Sequence, residues 1–144
     1  MKASLNHIGI AVNNLPATQK LFALLGLQVG HVEAVPEQGV QTHFLPLPLE
    51  PGHLELLEVL DPGGVVAKFI AKRGPGIHHL SFLVGSGELD ALCERLRGEG
   101  YRLMYEAPRP GAHQMRVNFI HPASAGGILL EVMERQGAEA GPDR

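Results

Sequence analysis

The chain has one cysteine, no tryptophan and few aromatic side chains, and the scarcity of cysteine limits which classes of protein it can belong to. Cys93 is the single cysteine among 144 residues, and aromatic residues make up 5% of the chain. A single cysteine excludes an internal disulfide framework and favours a reducing, cytoplasmic location. The residues around Cys93 follow a helical pattern, so we interpret its thiol as part of the core rather than as a nucleophile.

Long apolar runs and an excess of basic residues are also missing. No run approaches the roughly 20 apolar residues of a membrane-spanning helix, and no long apolar segment follows Lys2 as it would in a signal peptide. The net charge of −3 and the pI near 6.2 provide no general basic field. We therefore expect neither a nucleic-acid partner nor a membrane partner. The hydrophobic content of 44% is enough for a folded core.

Two stretches of the chain are similar, and each contains a histidine and a carboxylate at matching positions. His7 lies in an apolar, β-branched run, and His79 lies in a similar run 72 residues later. Near the end of each half, one acid interrupts an apolar strand pattern: Glu55 in the first and Glu131 in the second. A charged group inside an apolar strand is costly unless something pairs with it. The symmetric arrangement therefore predicts a shared divalent metal.

The pattern of apolar residues, turns and glycines predicts the same order of elements, βαβββ, in both halves. In the first half, strands are predicted over 5–12, 27–35, 40–45 and 54–60, with a helix from Leu15 to Gly26. A crossover helix is predicted over 65–72. In the second half, strands are predicted over 77–84, 101–105, 115–121 and 127–134, with a helix over 87–98.

Each half alone would leave a large apolar face open, so we expect the two halves to form one domain. The predicted fold class is α+β: two tandem βαβββ modules form one curved, eight-stranded mixed sheet, a cup with helices on its outer face. The domain is predicted over 1–135, with module one at about 5–62 and module two at about 76–134. Residues 136–144 lack periodicity and are predicted to form a disordered tail.

Side-chain alternation along the strands indicates which groups share the concave face. His78 and His79 are expected to face opposite sides, and the repeat selects His79 because it aligns with His7. His7, Glu55, His79 and Glu131 then provide two nitrogen and two oxygen ligands. This set suits a six-coordinate divalent ion with open positions, such as Co²⁺, Ni²⁺, Mn²⁺, Fe²⁺ or Zn²⁺. Open positions favour catalysis over a structural role.

The other histidines do not all need a role at the metal, because the chain contains 8 of them. We assign no role to His31 and His43 and interpret His53 as a turn residue. His113 lies close to Gly111 in a predicted loop and is a candidate for contact with a bound ligand.

These features resemble the vicinal oxygen chelate superfamily, which includes glyoxalase I, extradiol dioxygenases, fosfomycin-resistance proteins and methylmalonyl-CoA epimerases. The resemblance is greatest to the epimerases and extends over nearly the whole chain, up to about Glu134. It is carried by the motifs at 5–12, 36–40, 55–57, 67–69, 74–79, 111–113, 119–122 and 126–131.

The resemblance implies that His7, His79 and Glu131 are metal ligands and that Glu55 occupies the fourth position. It implies one divalent metal ion per chain, with Co²⁺ the favoured ion. The implied reaction epimerises methylmalonyl-CoA by removing its α-proton and returning a proton to the other face of a metal-stabilised enolate. Glu131 is the first candidate for the catalytic base, and Glu55 is its partner on the opposite side.

The resemblance also implies an acyl-CoA substrate and a homodimer. Arg109, in a Pro-Arg-Pro-Gly loop, is a candidate for contact with the phosphates of coenzyme A. His113, Thr42 and Gln41 are further candidates for substrate binding. Some bacterial epimerases have Glu at the position of Thr42, so this chain departs from them at one proposed base.

Two alternative functions stay open on sequence grounds. Glyoxalase I also uses two histidines and two glutamates, and Glu55 fits that set. A non-catalytic protein that binds a small molecule or an antibiotic would have the same fold with an apolar cup and no metal. An extradiol dioxygenase holds Fe(II) by two histidines and one glutamate, so Glu55 argues against that activity.

Overall fold

The computed structural model describes residues 2–136, and the eight strands and three α-helices in this range confirm the predicted fold class. The elements are β1 (Ser4–Val12), α1 (Leu15–Leu24), β2 (His31–Val35), β3 (Val40–Pro46), β4 (His53–Val59), α2 (Val65–Arg73), β5 (Gly76–Leu83), α3 (Leu89–Gly98), β6 (Arg109–Pro110), β7 (Met115–Ile120) and β8 (Leu129–Arg135). The hydrogen-bonded order is β2-β3-β4-β1-β5-β8-β7-β6. The sheet is mixed, because β1 and β4 are parallel whereas β3 and β4 are antiparallel. Of the predicted tail, residues 137–144 lie outside the described range.

Local sequence signals explain where the helices begin and end. The Asn14 side chain accepts a hydrogen bond from the backbone N–H of Ala17, and Pro16 lies in the first turn of α1. After the helix, Gly26 has φ of 85°, a left-handed conformation that ends helices at low cost. Gly74, which follows α2, has φ of 81° and ψ of 176°, an extended conformation with positive φ that favours glycine, and its N–H donates to the Ile70 carbonyl. The predicted helices over 65–72 and 87–98 are confirmed, with shifted ends.

Two of the predicted strands differ from the structure. β2 begins at His31 instead of Leu27, because the backbone N–H of Leu27 donates to the Phe22 carbonyl in the turn that closes α1. The predicted strand over 101–105 is reduced to a single bridge between Leu103 and Ile120. The sequence interpreted as a loop around Arg109 instead provides the short strand β6, which pairs with β7.

The Asn118 side chain explains the missing strand. Its amide accepts a hydrogen bond from the backbone N–H of Tyr105 and donates one to the Tyr105 carbonyl. The Arg97 guanidinium also donates to that carbonyl, at 2.7 Å. Side chains therefore use the backbone groups that a strand ladder would need.

The described residues form two compact units: the first unit is His7–His79, and the second combines residues 2–6 with residues 80–136. In the first unit, Ala11, Val40, Leu57 and Val66 form the buried core. Because side chains alternate along β4, Leu57 lies on the same face as Glu55. Helix α2 contributes Val66 and therefore packs on this face, so it departs from the expectation that the helices lie on the face opposite to the predicted ligands.

In the second unit, helix α3 packs on one face of the strands. Its residues Leu89 and Cys93 contact a cluster that includes Val132, so α3 lies on the face of β8 opposite to Glu131. Cys93 is 1% exposed, and burial raises the pKa of its thiol above the ordinary value. The thiol therefore stays protonated and is a poor nucleophile, in agreement with its interpretation as a core residue.

Glu134 attaches β8 to the beginning of α3. One carboxylate oxygen accepts hydrogen bonds from the backbone N–H groups of Gly87 and Leu89, at 2.9 and 3.0 Å. The other accepts from the Arg116 guanidinium at 2.6 Å. Arg116 also pairs with Asp90, and this hydrogen bond holds the pKa of the Asp90 carboxyl below its usual value. A negative charge at the start of a helix is favourable, and here it is also buried and paired.

Replacing Glu134 with Ala should destabilise the protein by about 3 kcal/mol, because the buried N–H of Leu89 and the Arg116 guanidinium lose their acceptor. Urea denaturation followed by circular dichroism measures this loss. The matched control is Glu94→Ala on the exposed side of α3, which should change the free energy of unfolding by less than about 0.5 kcal/mol. Equal effects of the two substitutions would contradict the assigned role of Glu134.

Candidate metal centre

Three of the four predicted ligand side chains converge inside the first unit. His7 extends from β1, Glu55 from β4 and His79 from β5. Each offers a ligand atom, and these atoms all lie within 4.8 Å of one another. All three residues are at most 9% exposed, so the cluster is removed from bulk water.

The strand register brings these side chains to one face. In the parallel pair β1 and β4, His7 lies opposite His53, and Gly9 lies opposite Glu55. Residues two apart on a strand share a face, so His7, His53 and Glu55 lie on the same side of the first unit. The parallel pairing of β1 and β4 thus joins the first strand of module one to its last strand.

Gly9 provides the space for the His79 ring. A Cβ atom at this position would lie 2.3 Å from His79 Cε1 and 2.7 Å from both ring nitrogens. These distances are far below van der Waals contact with a carbon atom, so no larger residue fits without moving the imidazole. Gly9 in β1 is therefore needed to make room for the ring of His79, a candidate metal ligand in β5.

The distance between two imidazole nitrogens in the cluster fits a bound cation. His7 Nε2 and His79 Nε2 are 3.0 Å apart. The other nitrogen of the His7 ring, Nδ1, is 3.2 Å from Glu55 Oε2. Two ring nitrogens each about 2.1 Å from one ion, at a right angle, would be about 3 Å apart. Two lone pairs at this separation repel unless a proton or a cation lies between them. The donor set of two imidazoles and a carboxylate suits zinc and neighbouring transition metals.

Two histidines that the sequence analysis left without a role at the metal are in contact with the cluster. His78 Nδ1 is 2.9 Å from His79 Nδ1, and the His78 ring contacts the Phe69 ring edge to face. His53 Nε2 is 2.8 Å from Glu55 Oε2. The adjacent His78-His79 pair and the His53-x-Glu55 spacing are the sequence signals that could have indicated these contacts.

The predicted substrate-binding residues lie in different places. Thr42 is 2% exposed, lies opposite Leu57 in the β3–β4 register and shares the Glu55 face. Gln41 points to the opposite face of β3 because side chains alternate, so the structure does not bring it to the cluster. In the second unit, the Arg109 guanidinium lies 4.1 Å from the centre of the Tyr105 ring. His113 is exposed and has φ of 57°, in the left-handed region.

Glu131, the fourth predicted ligand, lies in β8 of the second unit and is 7% exposed. Its neighbour Met133, on the same face of the strand, belongs to a cluster with Val117 and Phe119. Such an apolar setting makes a carboxylate expensive unless it has a partner. The assignment of Glu131 as a ligand stays a prediction.

Within residues 2–136, no helix is both long and apolar enough to cross a bilayer.

Comparison with known sequences identifies the family of the chain. Residues 6–119 match the model of the Glyoxalase/Bleomycin resistance protein/Dioxygenase superfamily, and the chain belongs to this superfamily. This result confirms the resemblance found in the sequence.

Several similar proteins are methylmalonyl-CoA epimerases. The chain is 42% identical to the Mycobacterium tuberculosis methylmalonyl-CoA epimerase, with a TM-score of 0.84 over 94% of this chain and 90% of that one. It is 36% identical over 135 residues to the ethylmalonyl-CoA/methylmalonyl-CoA epimerase of Cereibacter sphaeroides, covering 92% and 98% of the two chains. It is 34% identical to a Streptomyces coelicolor methylmalonyl-CoA epimerase variant in complex with 2-nitronate-propionyl-CoA, with a TM-score of 0.83 over 94% and 96%.

Proposed function

We propose that this chain is a metal-dependent methylmalonyl-CoA epimerase, an isomerase of the racemase and epimerase class. The observation that carries the proposal is the convergence of His7, Glu55 and His79. It occurs in a chain that is similar over nearly its whole length to proteins named methylmalonyl-CoA epimerase. The reaction needs an acidified carbon next to a thioester and a proton that leaves one face and returns to the other.

We propose that His7, Glu55, His79 and Glu131 hold one divalent cation, with Co²⁺ the favoured ion. Support for the first three is the geometry of the cluster, and support for Glu131 is its position in the repeat and its burial in β8. When bound, the cation supplies Lewis-acid stabilisation of the negative charge that develops on the substrate oxygens as the α-proton leaves.

Glu131 is the proposed base that removes the α-proton. Inversion also requires a second proton carrier on the opposite side, and Glu55 is the candidate because it occupies the corresponding place in the first module. General acid–base groups of this kind contribute about 10²–10⁴-fold to rate. Thr42 has no titratable carboxylate, so it cannot carry the proton that a glutamate at this position would carry in some bacterial epimerases.

The proposed substrate is an acyl-CoA thioester, as in the complex of the Streptomyces coelicolor enzyme. Arg109 is the proposed contact for its phosphates, because stacking on Tyr105 fixes the guanidinium plane and leaves its N–H edges available. Thr42 and His113 are further proposed contacts. We also propose that the two modules act as one domain, because each alone would leave an apolar face open, that the protein is a homodimer, as the family resemblance implies, and that it is cytoplasmic, as its single cysteine favours.

The direct test is deuterium exchange at the α-carbon of methylmalonyl-CoA in deuterated water, followed by NMR. We expect the metal-loaded protein to catalyse exchange and His7→Ala to lose both stoichiometric metal, measured by elemental analysis, and exchange, because one of the converging nitrogens is gone. His121→Ala, which removes an imidazole whose Nδ1 accepts a hydrogen bond from the backbone N–H of Ala123, is the control and should keep its metal. Full metal content in His7→Ala would contradict the ligand assignment.

The same preparation separates the alternative functions. Thioester formation from methylglyoxal and glutathione, without exchange on methylmalonyl-CoA, would replace the proposal with glyoxalase I. Ligand binding with neither metal nor exchange would replace it with a non-catalytic binding protein.

A further inference from the structure

His53 contacts one of the proposed ligands and has no counterpart in the second half of the chain. It is the first residue of β4, two positions before Glu55, and its Nε2 lies 2.8 Å from Glu55 Oε2. The corresponding residue before Glu131 is Leu129, which packs against an apolar cluster. Glu55 and Glu131 therefore occupy equivalent positions in the repeat, but a histidine stands two residues before Glu55 and a leucine two residues before Glu131.

The geometry points to a positioning role for His53: we infer that its Nε2–H donates to Glu55 Oε2 and so fixes the carboxylate in an orientation in which Oε1 would be the oxygen that holds a cation. An ionised carboxylate is only an acceptor, so the imidazole nitrogen must be the donor in this contact. The same oxygen is 3.2 Å from His7 Nδ1. Because both imidazoles contact Oε2, the other oxygen is the one that remains for a metal ion.

The His53 ring is itself held in place. It lies between the Phe44 ring and the His7 ring, with centroids 5.3 Å away on each side. The side chain of His53 is 26% exposed and that of Glu55 is 12% exposed. The hydrogen bond is therefore shielded from water, and it is charge-assisted, which makes it stronger than a neutral one. Partners of this kind fix the direction of a metal ligand.

This inference deepens the proposed function and rests on it, because it separates the roles of the two glutamates. A carboxylate oriented by His53 would hold the cation from a fixed position, and Glu55 keeps its proposed place as the second proton carrier. Glu131, with a leucine at the matching place, would be the carboxylate that first removes the α-proton. The asymmetry predicts that loss of His53 weakens metal binding and leaves the removal of the α-proton by Glu131 intact.

The test compares three variants for Co²⁺ affinity, measured by competition with a chelating dye, and for the visible absorption spectrum of bound Co²⁺. His53→Leu, which introduces the residue of the second half, should bind Co²⁺ about 10–100-fold more weakly and show an altered spectrum. His53→Gln keeps an N–H donor and should restore most of the affinity. The matched control is His43→Leu, because His43 makes a similar 2.9 Å hydrogen bond to Glu58 on the opposite face of the sheet and should bind Co²⁺ normally.

Exchange at saturating Co²⁺ completes the experiment. We expect His53→Leu to recover near wild-type exchange when metal is in excess, because the defect is in affinity. Wild-type Co²⁺ affinity in His53→Leu, or an equal loss in His43→Leu, would overturn the positioning role. If the unmodified protein binds no Co²⁺ at all, the proposed metal-dependent function fails, and this outcome is distinct from a failure of the His53 assignment alone.

Discussion

Glu131→Gln should reduce α-proton exchange of methylmalonyl-CoA by about 10²–10⁴-fold, the usual contribution of a positioned general base. Glutamine keeps the size of the side chain and one oxygen that can face a cation, and it removes the basic carboxylate. Bound metal should therefore be retained at a higher metal concentration while exchange is lost. The measurement is the rate of deuterium incorporation by NMR, with metal content determined on the same sample.

The control for Glu131→Gln is the same substitution three residues later in β8. Glu134 lies on the opposite face of the strand and binds the beginning of α3, so Glu134→Gln should lower the free energy of unfolding and leave the exchange rate unchanged at 25 °C. If metal-loaded Glu131→Gln exchanges protons at the wild-type rate, Glu131 is not the base. The second carboxylate, Glu55, would then become the first candidate.

Gly9→Ala is the second substitution with a large expected effect, although Gly9 has no functional group. The new Cβ would lie 2.3 Å from His79 Cε1, so the imidazole must move by more than about 1 Å to reach ordinary contact. Overpacking of this kind costs about 1–3 kcal/mol of stability. Since metal sites tolerate little displacement of a ligand, the metal affinity should fall by on the order of 100-fold or more. Calorimetric metal titration and thermal unfolding measure the two losses.

Two comparisons keep this prediction specific. Gly98→Ala adds the same methyl group at the end of α3, where nothing lies within 4 Å, and should be neutral or slightly stabilising. In a His79→Ala background, Gly9→Ala should lose most of its cost in stability, because the ring that collides with the new methyl group is absent. A Gly9→Ala variant that binds metal normally would show that the His79 ring has space elsewhere and would remove Gly9 from the site.

Much of the fold was predictable because both halves of the sequence show the same pattern of strands and helices, so that each half supports the interpretation of the other. The alignment of His7 with His79 selected His79 from the His78-His79 pair, and the isolated acid in the apolar strand selected Glu55. Both choices depend on side-chain alternation, which is a property of any strand. The three residues meet in the structure as expected.

The missed contacts have local physical reasons. Strand alternation sends the Cβ atoms of His78 and His79 to opposite faces of β5. The Nδ1 atom of each ring lies near the backbone, however, so the two Nδ1 atoms still come into contact. His53 was interpreted as a turn residue because β4 was predicted to begin one residue too late. The strand expected over 101–105 failed because the Asn118 side chain binds the backbone of Tyr105. These details depend on tertiary contacts that a linear pattern does not contain.

The two faces of β4 carry nearly the same pair of residues. Glu58 meets His43 at 2.9 Å on one side, and Glu55 meets His53 at 2.8 Å on the other. Within residues 2–136, the second pair borders further imidazoles, because β1 and β5 add His7 and His79 there. A histidine–glutamate contact therefore occurs on both faces of this sheet, and on one face the neighbouring strands add the imidazoles of the candidate metal site. A new binding centre on the opposite side would thus require donors from adjacent strands and not a change to the pair itself.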